Sequence, residues 1–344
     1  TGIKTQIYKA PAVATVISAE QIKNLGATDI DEILETVPGL HVSYNASYTP
    51  LYVFRGVHSF YNPQVLMLVN GISVTGDFVG NRSQHWLGMP VEAIARIEII
   101  RGPGSAVFGS DAFSGVINII TKSADDITES AIGIRAGSYN TQDTWFSIGN
   151  NESALKYALI FEYHNTDGFD QIIEADAQSL LDSVFGTNVS NAPGKLSLGV
   201  ESIEMRSEIN YHQLTIRSGL QRRTSGGAGA GLGEALDPIV NTSSTRWNID
   251  VNYKYKLSEN LTIDWQAAYY NTTVEINNNY YLYPAGTNLG TGVYEQGVIG
   301  NPETWERHYR LNATGLYSGF EQHTLRFGMG YHKGDMYRTK EAKN

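Results

Sequence analysis

Histidines, serines and carboxylates in this chain stand at spacings that suit no familiar catalytic set. The eight histidines include no His-Glu-x-x-His arrangement, which would turn two imidazoles toward one zinc ion from a single helical face. Phe108-Gly109-Ser110-Asp111 lacks the Gly-x-Ser-x-Gly spacing of a nucleophile elbow. Asp125-Asp126 and Glu174/Asp176 read as solvated loop charges; a calcium site at Glu174, Asp176 and Asp182 is the alternative. No enzyme is expected, and no catalytic residue, resident metal or cofactor. The remaining chemistry is recognition. Three polar, aromatic stretches, Tyr44 to Pro50, His58 to Pro63 and Gly76 to Trp86, carry the candidate ligand-binding residues Tyr44, Tyr48, His58, Phe60, Tyr61, Asn81, Arg82, His85 and Trp86. Aromatic faces and amide or imidazole edges on loops are what a rigid sheet presents to a ligand. Each could instead pack the domain against its surroundings. Arg55 and Arg101 each follow a strand-like run beside glycine; from spacing alone they are either solvated or buried and paired, since an unpaired buried guanidinium is very costly.

The elements that must position these loops are legible nearby. Ala12 to Ile17 is a short β-rich run, and Ser18-Ala19-Glu20-Gln21 has the form of a capping box opening a helix that ends on Gly26. Thr28 is placed to cap a second helix, with Asp29, Asp31 and Glu32 in its first turn; Pro38 stops it by Thr36. Ile30, Ile33, Leu34 and Val37 then share one face. Tyr52-Val53-Phe54-Arg55-Gly56 is a strand candidate. Val65 to Val69 is an apolar run closing on Asn70-Gly71, which predicts a buried central strand and a tight turn. Ile97 to Ile100 and Val116 to Thr121 are two further strands, separated by the sharp Arg101-Gly102-Pro103-Gly104 turn.

From about Ile127 the pattern changes to period two. Leu155, Tyr157, Leu159, Phe161 and Tyr163 alternate with Lys156, Ala158, Ile160, Glu162 and His164, and the alternation returns from Trp247 to Leu257, Leu261 to Tyr269, Tyr309 to Tyr317 and Leu325 to Tyr331. A soluble sandwich would also alternate. Connection lengths discriminate better. Tight turns at Asn150-Asn151-Glu152, Asn210-Tyr211, Ser258-Glu259-Asn260 and Gly319-Phe320-Glu321 alternate with long irregular segments at roughly 166–197, 224–243 and 275–303, the layout of an outer-membrane barrel. Such a sheet must close, because hydrocarbon offers its backbone no partner. Tyrosine and tryptophan at strand ends would form the interfacial girdles.

Composition agrees with both halves. Of 344 residues only 17% are charged, while Gly 35 and Tyr 21 are high. A net charge of -10 without a Lys/Arg cluster excludes a nucleic-acid surface. No apolar run is long enough for a transmembrane helix, but barrel strands escape a hydropathy average, so a mean hydropathy of -0.25 does not decide. The absence of cysteine excludes disulfides and thiolate metal sites.

The stretch RIEIIRGPGSAVFGSDAFSGVINIITK, Arg96 to Lys122, resembles almost residue for residue the end of the plug domain of TonB-dependent outer-membrane receptors. Ile97, Glu98, Arg101, Gly102, Pro103, Gly109, Ala112, Gly115, Val116, Ile117, Asn118, Ile119, Ile120, Thr121 and Lys122 occupy the family's places, with Phe108 where tyrosine is frequent. VPGL at 37–40, the strand ending in Arg55-Gly56, and VLMLVNG, with Asn70 for aspartate, are similar too. The resemblance implies an α+β plug over 1–125 followed, over 126–344, by antiparallel transmembrane β-barrel strands. About nine strands are legible, an odd number where single-chain barrels are even, and the family's barrels have about 22. The polar tail Arg338 to Asn344 and an unrecognisable energy-coupling box in Thr1 to Pro11 add to the expectation of an incomplete barrel and a clipped start.

What the resemblance implies about function is uptake across the outer membrane of a Gram-negative bacterium. A scarce ligand binds between the extracellular loops and the plug apex, and TonB, driven by its inner-membrane motor complex, pulls the plug to open a path. Arg55 and Arg101 would lie buried at the plug–barrel interface, facing barrel glutamates. The SADDI segment after Lys122 is similar to the catecholate-siderophore and colicin I receptor branch. That makes ferric siderophore the first expected ligand, cobalamin the second and haem the third, since no FRAP-NPNL pair is present. Outer-membrane lipid and a colicin or phage are the further partners implied. A non-transporting β-rich surface binding protein would explain the alternation but not the plug signature.

Overall fold

The computed structural model describes residues 13–78, 80, 88–104, 108–227 and 229–343. Strand β1 (Val13–Ser18) runs into helix α1 (Ala19–Leu25), whose capping box forms as the sequence predicts: the Gln21 amide donates to Ser18 Oγ and Gln21 Oε1 accepts from the Ser18 amide. Helix α2 (Ile30–Glu35) departs from expectation at its start. Asp29, not Thr28, is the N-cap, accepting from the Asp31 amide at 2.9 Å, while Thr28 donates its amide and hydroxyl to Glu32. The Asp29 side chain, one residue later, reaches a free amide of the first turn, which leaves threonine the outer position.

The remaining plug strands are β2 (Leu40–Tyr44), β3 (Pro50–Phe54), β4 (Val65–Val69), β5 (Ile72–Ser73), β6 (Ile94–Arg101) and β7 (Gly115–Thr121). Four of them join β1 in one five-stranded sheet, in the order β1-β6-β7-β4-β5, and β2 pairs β3 as a separate hairpin. Strand β4 is buried along its whole length, as its unbroken apolar run requires, and turns into β5 through Asn70 and Gly71, both at positive φ. The sheet and helices close on Ile30, Ile33, Leu34, Met67, Ile97 and Ile117, all fully buried. Burying each such side chain stabilises the plug by about 1.5–3 kcal/mol.

After the plug the chain builds an antiparallel wall. Its strands are β8 (Ala131–Gly137), β9 (Thr141–Asn150), β10 (Leu155–Thr166), β13 (Val200–Tyr211), β14 (Leu214–Gly226), β15 (Thr242–Ser258), β16 (Leu261–Ile276), β20 (Val298–Tyr317) and β21 (Leu325–Lys343), each paired with the next. Short pairs decorate the long connections: β11 (Ile172–Ile173) with β12 (Gly194–Lys195), β18 (Thr287–Asn288) with β19 (Val293–Tyr294), and β17 (Tyr281–Tyr283) against β20. Strand β20 has 20 residues, about twice what a tilted strand needs to cross hydrocarbon, so the wall continues past the bilayer on the side of the long connections.

The alternation now has a direction. Ile132, Trp247, Ile249, Tyr253, Trp265, Leu311 and Met329 face outward and exposed, whereas Glu162, Glu204, Arg206, Arg223, Asp250, Glu306 and His308 are buried on the inner face. The inner face meets the plug. The acidic stretch in the first long connection is structural: Asp176 caps the helix Ala177–Phe185, and Asp182 accepts from Thr187 Oγ1 and the Val189 and Ser190 amides. Burial would raise the Asp182 carboxyl, but these donors bring it below its ordinary range.

Candidate functional site

Two groups of residues matter: those at the plug tip and those along the seam between plug and wall. The tip is the 45–49 connection of the β2–β3 hairpin. Asn45 shapes it, its side chain accepting from the Thr49 amide at 3.0 Å, and Tyr48 takes φ 55° to close the turn. This brings two of the expected ligand residues together: the rings of Tyr44 and Tyr48 stack at 4.4 Å, with Phe169 at 5.9 Å from Tyr48. All three long connections reach this tip. Phe169 comes from the first; Ala230 of the second donates its amide to Ala46 O at 2.8 Å; Tyr280 of the third lies 3.4 Å from Ser47 Oγ.

Beneath the tyrosine pair is a cavity of about 200 Å³ lined by Asp29, Asp31, Glu32, Tyr44, Tyr48 and the barrel-side residues Ser197, Leu198 and Gly227. Its chemistry is aromatic and acidic. Burial and then the neighbouring Asp31 hold the Tyr44 hydroxyl well above the ordinary phenol range and raise that of Tyr48, so both are neutral donors. Burial first, and Asp31 second, also raise the Asp29 carboxyl well above its usual value. Burial pushes the Tyr280 hydroxyl up to about 12.

The other expected residues separate. His58, Phe60 and Tyr61 are exposed on a different loop, where Phe60 and Tyr61 meet edge to face at 5.0 Å. Asn81, Arg82, His85 and Trp86 lie outside the described residues. Arg55 is exposed with φ 51°, and Arg101 donates to Pro38 O at 2.6 Å; neither forms an ion pair with another described residue.

Other side chains carry the seam, and sequence reasoning did not single them out. Arg223 Nη2 and Gln221 Nε2 donate to Gly88 O at 3.0 and 3.3 Å. Arg246 donates to the Val74 and Ser73 carbonyls at 3.3 Å, with its guanidinium over the Tyr270 ring. Glu162 accepts from the Glu92 amide, and Glu306 from the Asp77 and Phe78 amides at 2.7 and 3.1 Å. The wall thus grips the plug by its main chain, and carboxylates behind the arginines (Glu204 with Arg206 and Arg223) balance the buried charge. The only signal in the sequence was the charged phase of each alternating strand.

The comparisons agree with this architecture. Residues 6–116 match the family described as the TonB-dependent Receptor Plug Domain. Residues 6–116 therefore form a plug of that family, and a wall of antiparallel strands follows them. Over 164 residues the chain is 37% identical to the vitamin B12 transporter BtuB of Vibrio vulnificus (strain CMCP6), covering 46% of this chain and 26% of that protein. Among solved structures, the siderophore receptor PirA from Acinetobacter baumannii superposes with a TM-score of 0.63 at 20% identity, over 96% of this chain and 49% of that one. The copper transporter OprC does so with a TM-score of 0.65 at 13% identity, over 97% and 49%. The chain therefore spans about a quarter of the curated relative's length and about half of those structures. The matched proteins are named as transporters and receptors.

Proposed function

We propose that this chain is the ligand-recognising and gating part of an energy-coupled outer-membrane importer, whose plug is rearranged by TonB to admit a ferric siderophore. The observation that carries this reading is the Tyr44–Tyr48 stack at the plug tip, met from three different long connections. A ligand seated there would touch plug and loops at once, so its arrival could be felt by the plug. Stacked aromatic faces hold flat or chelate-ring ligands by about 0.5–1.5 kcal/mol per ring beyond area burial. No bond is broken; the site binds, and the hydrogen-bonded seam yields.

A second reading, cobalamin, has a specific observation in its favour. Asp31 and Glu32 border the cavity, and a carboxylate rim repels a multiply anionic ferric catecholate more than an uncharged corrinoid; the vitamin B12 transporter among the relatives points the same way. Equilibrium binding to the full-length receptor separates the two, using a ferric siderophore panel and cyanocobalamin. The siderophore reading expects a ferric complex to bind tightly and cyanocobalamin not at all. Tyr44→Ala and Tyr48→Ala should each weaken that binding by about tenfold, the equivalent of one lost stacking contact. Unchanged affinity in both variants would remove the plug tip from the site, and unchanged affinity in Arg82→Ala and Trp86→Ala would remove those two residues.

A further inference from the structure

One hydroxyl from the plug tip and one from the plug core end on the same carboxylate, that of Asp31 in the first turn of α2. Tyr52, fully buried, donates to Asp31 Oδ1 at 2.6 Å, and the Tyr44 hydroxyl of the stacked pair bonds the same side chain. We propose that Asp31 is a positioning residue that joins the tip to the wall's hold on the plug, so that drawing the Tyr44 hydroxyl away from it loosens the contact of Arg223 and Gln221 with Gly88.

The route from tip to wall is short, and each step is a direct contact. The Asp31 amide donates to Asp29 Oδ1 at 2.9 Å, the bond that makes Asp29 the cap of α2. Beside the cap, the Ile30 amide donates to the Met89 carbonyl at 3.0 Å, and Asp29 pairs with Pro90 as a single antiparallel bridge. The Asp29 carboxylate also lies over Gly88, where an added Cβ would stand 2.5 Å from Oδ2; the φ of +82° there suits glycine as well. The carbonyl of this Gly88 is the one that Arg223 Nη2 and Gln221 Nε2 hold at 3.0 and 3.3 Å. Segment 88–90 is thus seated from the plug by the turn of α2 and from the wall by two side chains.

A carboxylate has lone pairs enough for both hydroxyls, but the two tyrosines differ in access. Tyr52 is enclosed in the core, whereas Tyr44 is 42% exposed and borders the cavity beneath the tip. A ligand that engages the Tyr44 hydroxyl therefore competes with Asp31 for it, while Tyr52 stays in place. The turn from Asp29 to Asp31 then loses one of the bonds that fix it against segment 88–90. The wall resists a shift of that segment, because Arg223 is 1% exposed and a displaced Gly88 carbonyl would leave a buried guanidinium donor without its acceptor. Tip and wall so bias the same turn, and by linkage each feels the other. This role rests on the proposed reading of the tip as the ligand's seat.

The test uses full-length receptor in detergent micelles with no siderophore, cobalamin or TonB, so it can fail while the import reading stands. Tyr44→Phe removes the hydroxyl and keeps the stacked ring; Gln221→Ala removes one wall contact to Gly88 and leaves Arg223 in place. Hydrogen exchange is read at the Ile30 and Asp31 amides, the donors of the two bonds that define the turn. Each variant should quicken it about 3- to 10-fold, the loss of one ordinary hydrogen bond. In the double variant the increase should fall short of the product of the two by at least about 3-fold, because independent sites combine to within about 2-fold. Tyr48→Phe, on the other ring of the stack, should leave both amides as they are. Should Gln221→Ala lose heat-modifiable migration, the milder Gln221→Asn supplies the wall arm. Simple multiplication in the double variant would overturn the proposal, as would amides indifferent to Tyr44→Phe or equally quickened by Tyr48→Phe.

Discussion

Inside the plug, and between plug and wall, the chain uses different materials. The plug's helices and sheet meet through Ile30, Ile33, Leu34, Met67, Ile97 and Ile117, without a polar atom among those side chains. The seam has apolar spots, where Ala158 and Ile160 join the plug's apolar cluster and where Ile72 meets Ala268 and Tyr270. Otherwise it is charged side chains holding main-chain groups. Water can replace a hydrogen-bond partner at small net cost, because the net worth of each bond is only about 0.5–3 kcal/mol. It cannot replace packed hydrocarbon. A plug built this way can leave or remodel its seat while keeping its own fold.

The largest effect should come from the core. Ile33→Ala should cost about 2–5 kcal/mol of plug stability, read as faster hydrogen exchange throughout β6 and β7 in the full-length receptor. Next is the seam. Arg246→Met strands the Ser73 and Val74 carbonyls and should cost about 1–3 kcal/mol, but its faster exchange should stay within residues 70–78. If the disturbance spread to β6 and β7 as far as that of Ile33→Ala, core and seam would be one cooperative unit and the contrast would fail.

Asp29 sharpens the contrast through pH. Its folded-state carboxyl is raised, chiefly by burial and then by Asp31, so the folded plug holds this proton more tightly than the unfolded chain. Its contribution is full below the ordinary value of 3.8 and is lost as pH rises through the raised one. Asp29→Asn should therefore gain stability relative to the unaltered protein as pH increases from about 4 toward neutrality, measured by denaturant unfolding at each pH. A difference independent of pH would mean that burial does not raise this carboxyl. The smallest effect is expected at Lys195, whose exposed pair with Asp170 should be worth little in solvent; Lys195→Ala should leave unfolding midpoints and the exchange of 70–78 unchanged.

Much of this architecture could be read before any coordinates. The capping box at Ser18, the buried β4 run with its Asn70-Gly71 turn, and the alternation of tight turns with long connections are local patterns, and local patterns report helices, strands and which phase of a strand is apolar. The cap of α2 moved by one residue because two adjacent capping types compete and only packing chooses. Tyr44 and Tyr48 were legible as aromatic residues in a loop, yet nothing in their spacing could announce Phe169, Ala230 and Tyr280 arriving from distant connections. Arg55 and Arg101 drew attention beside their glycines, while the guanidiniums that grip the plug, on Arg223 and Arg246, were anonymous members of an alternating strand.

Residue order alone, then, determined the two kinds of unit, their succession and the charged inner phase of the wall, since periodicity is a property of neighbours along the chain. Tertiary structure alone decided which inner charges touch the plug, because those side chains bind backbone carbonyls and amides, groups that every residue carries and no sequence distinguishes. The meeting of Asp77 with Glu306 and His308 is of the same kind. It joins positions more than two hundred residues apart, and only the seating of one folded unit inside another brings them together.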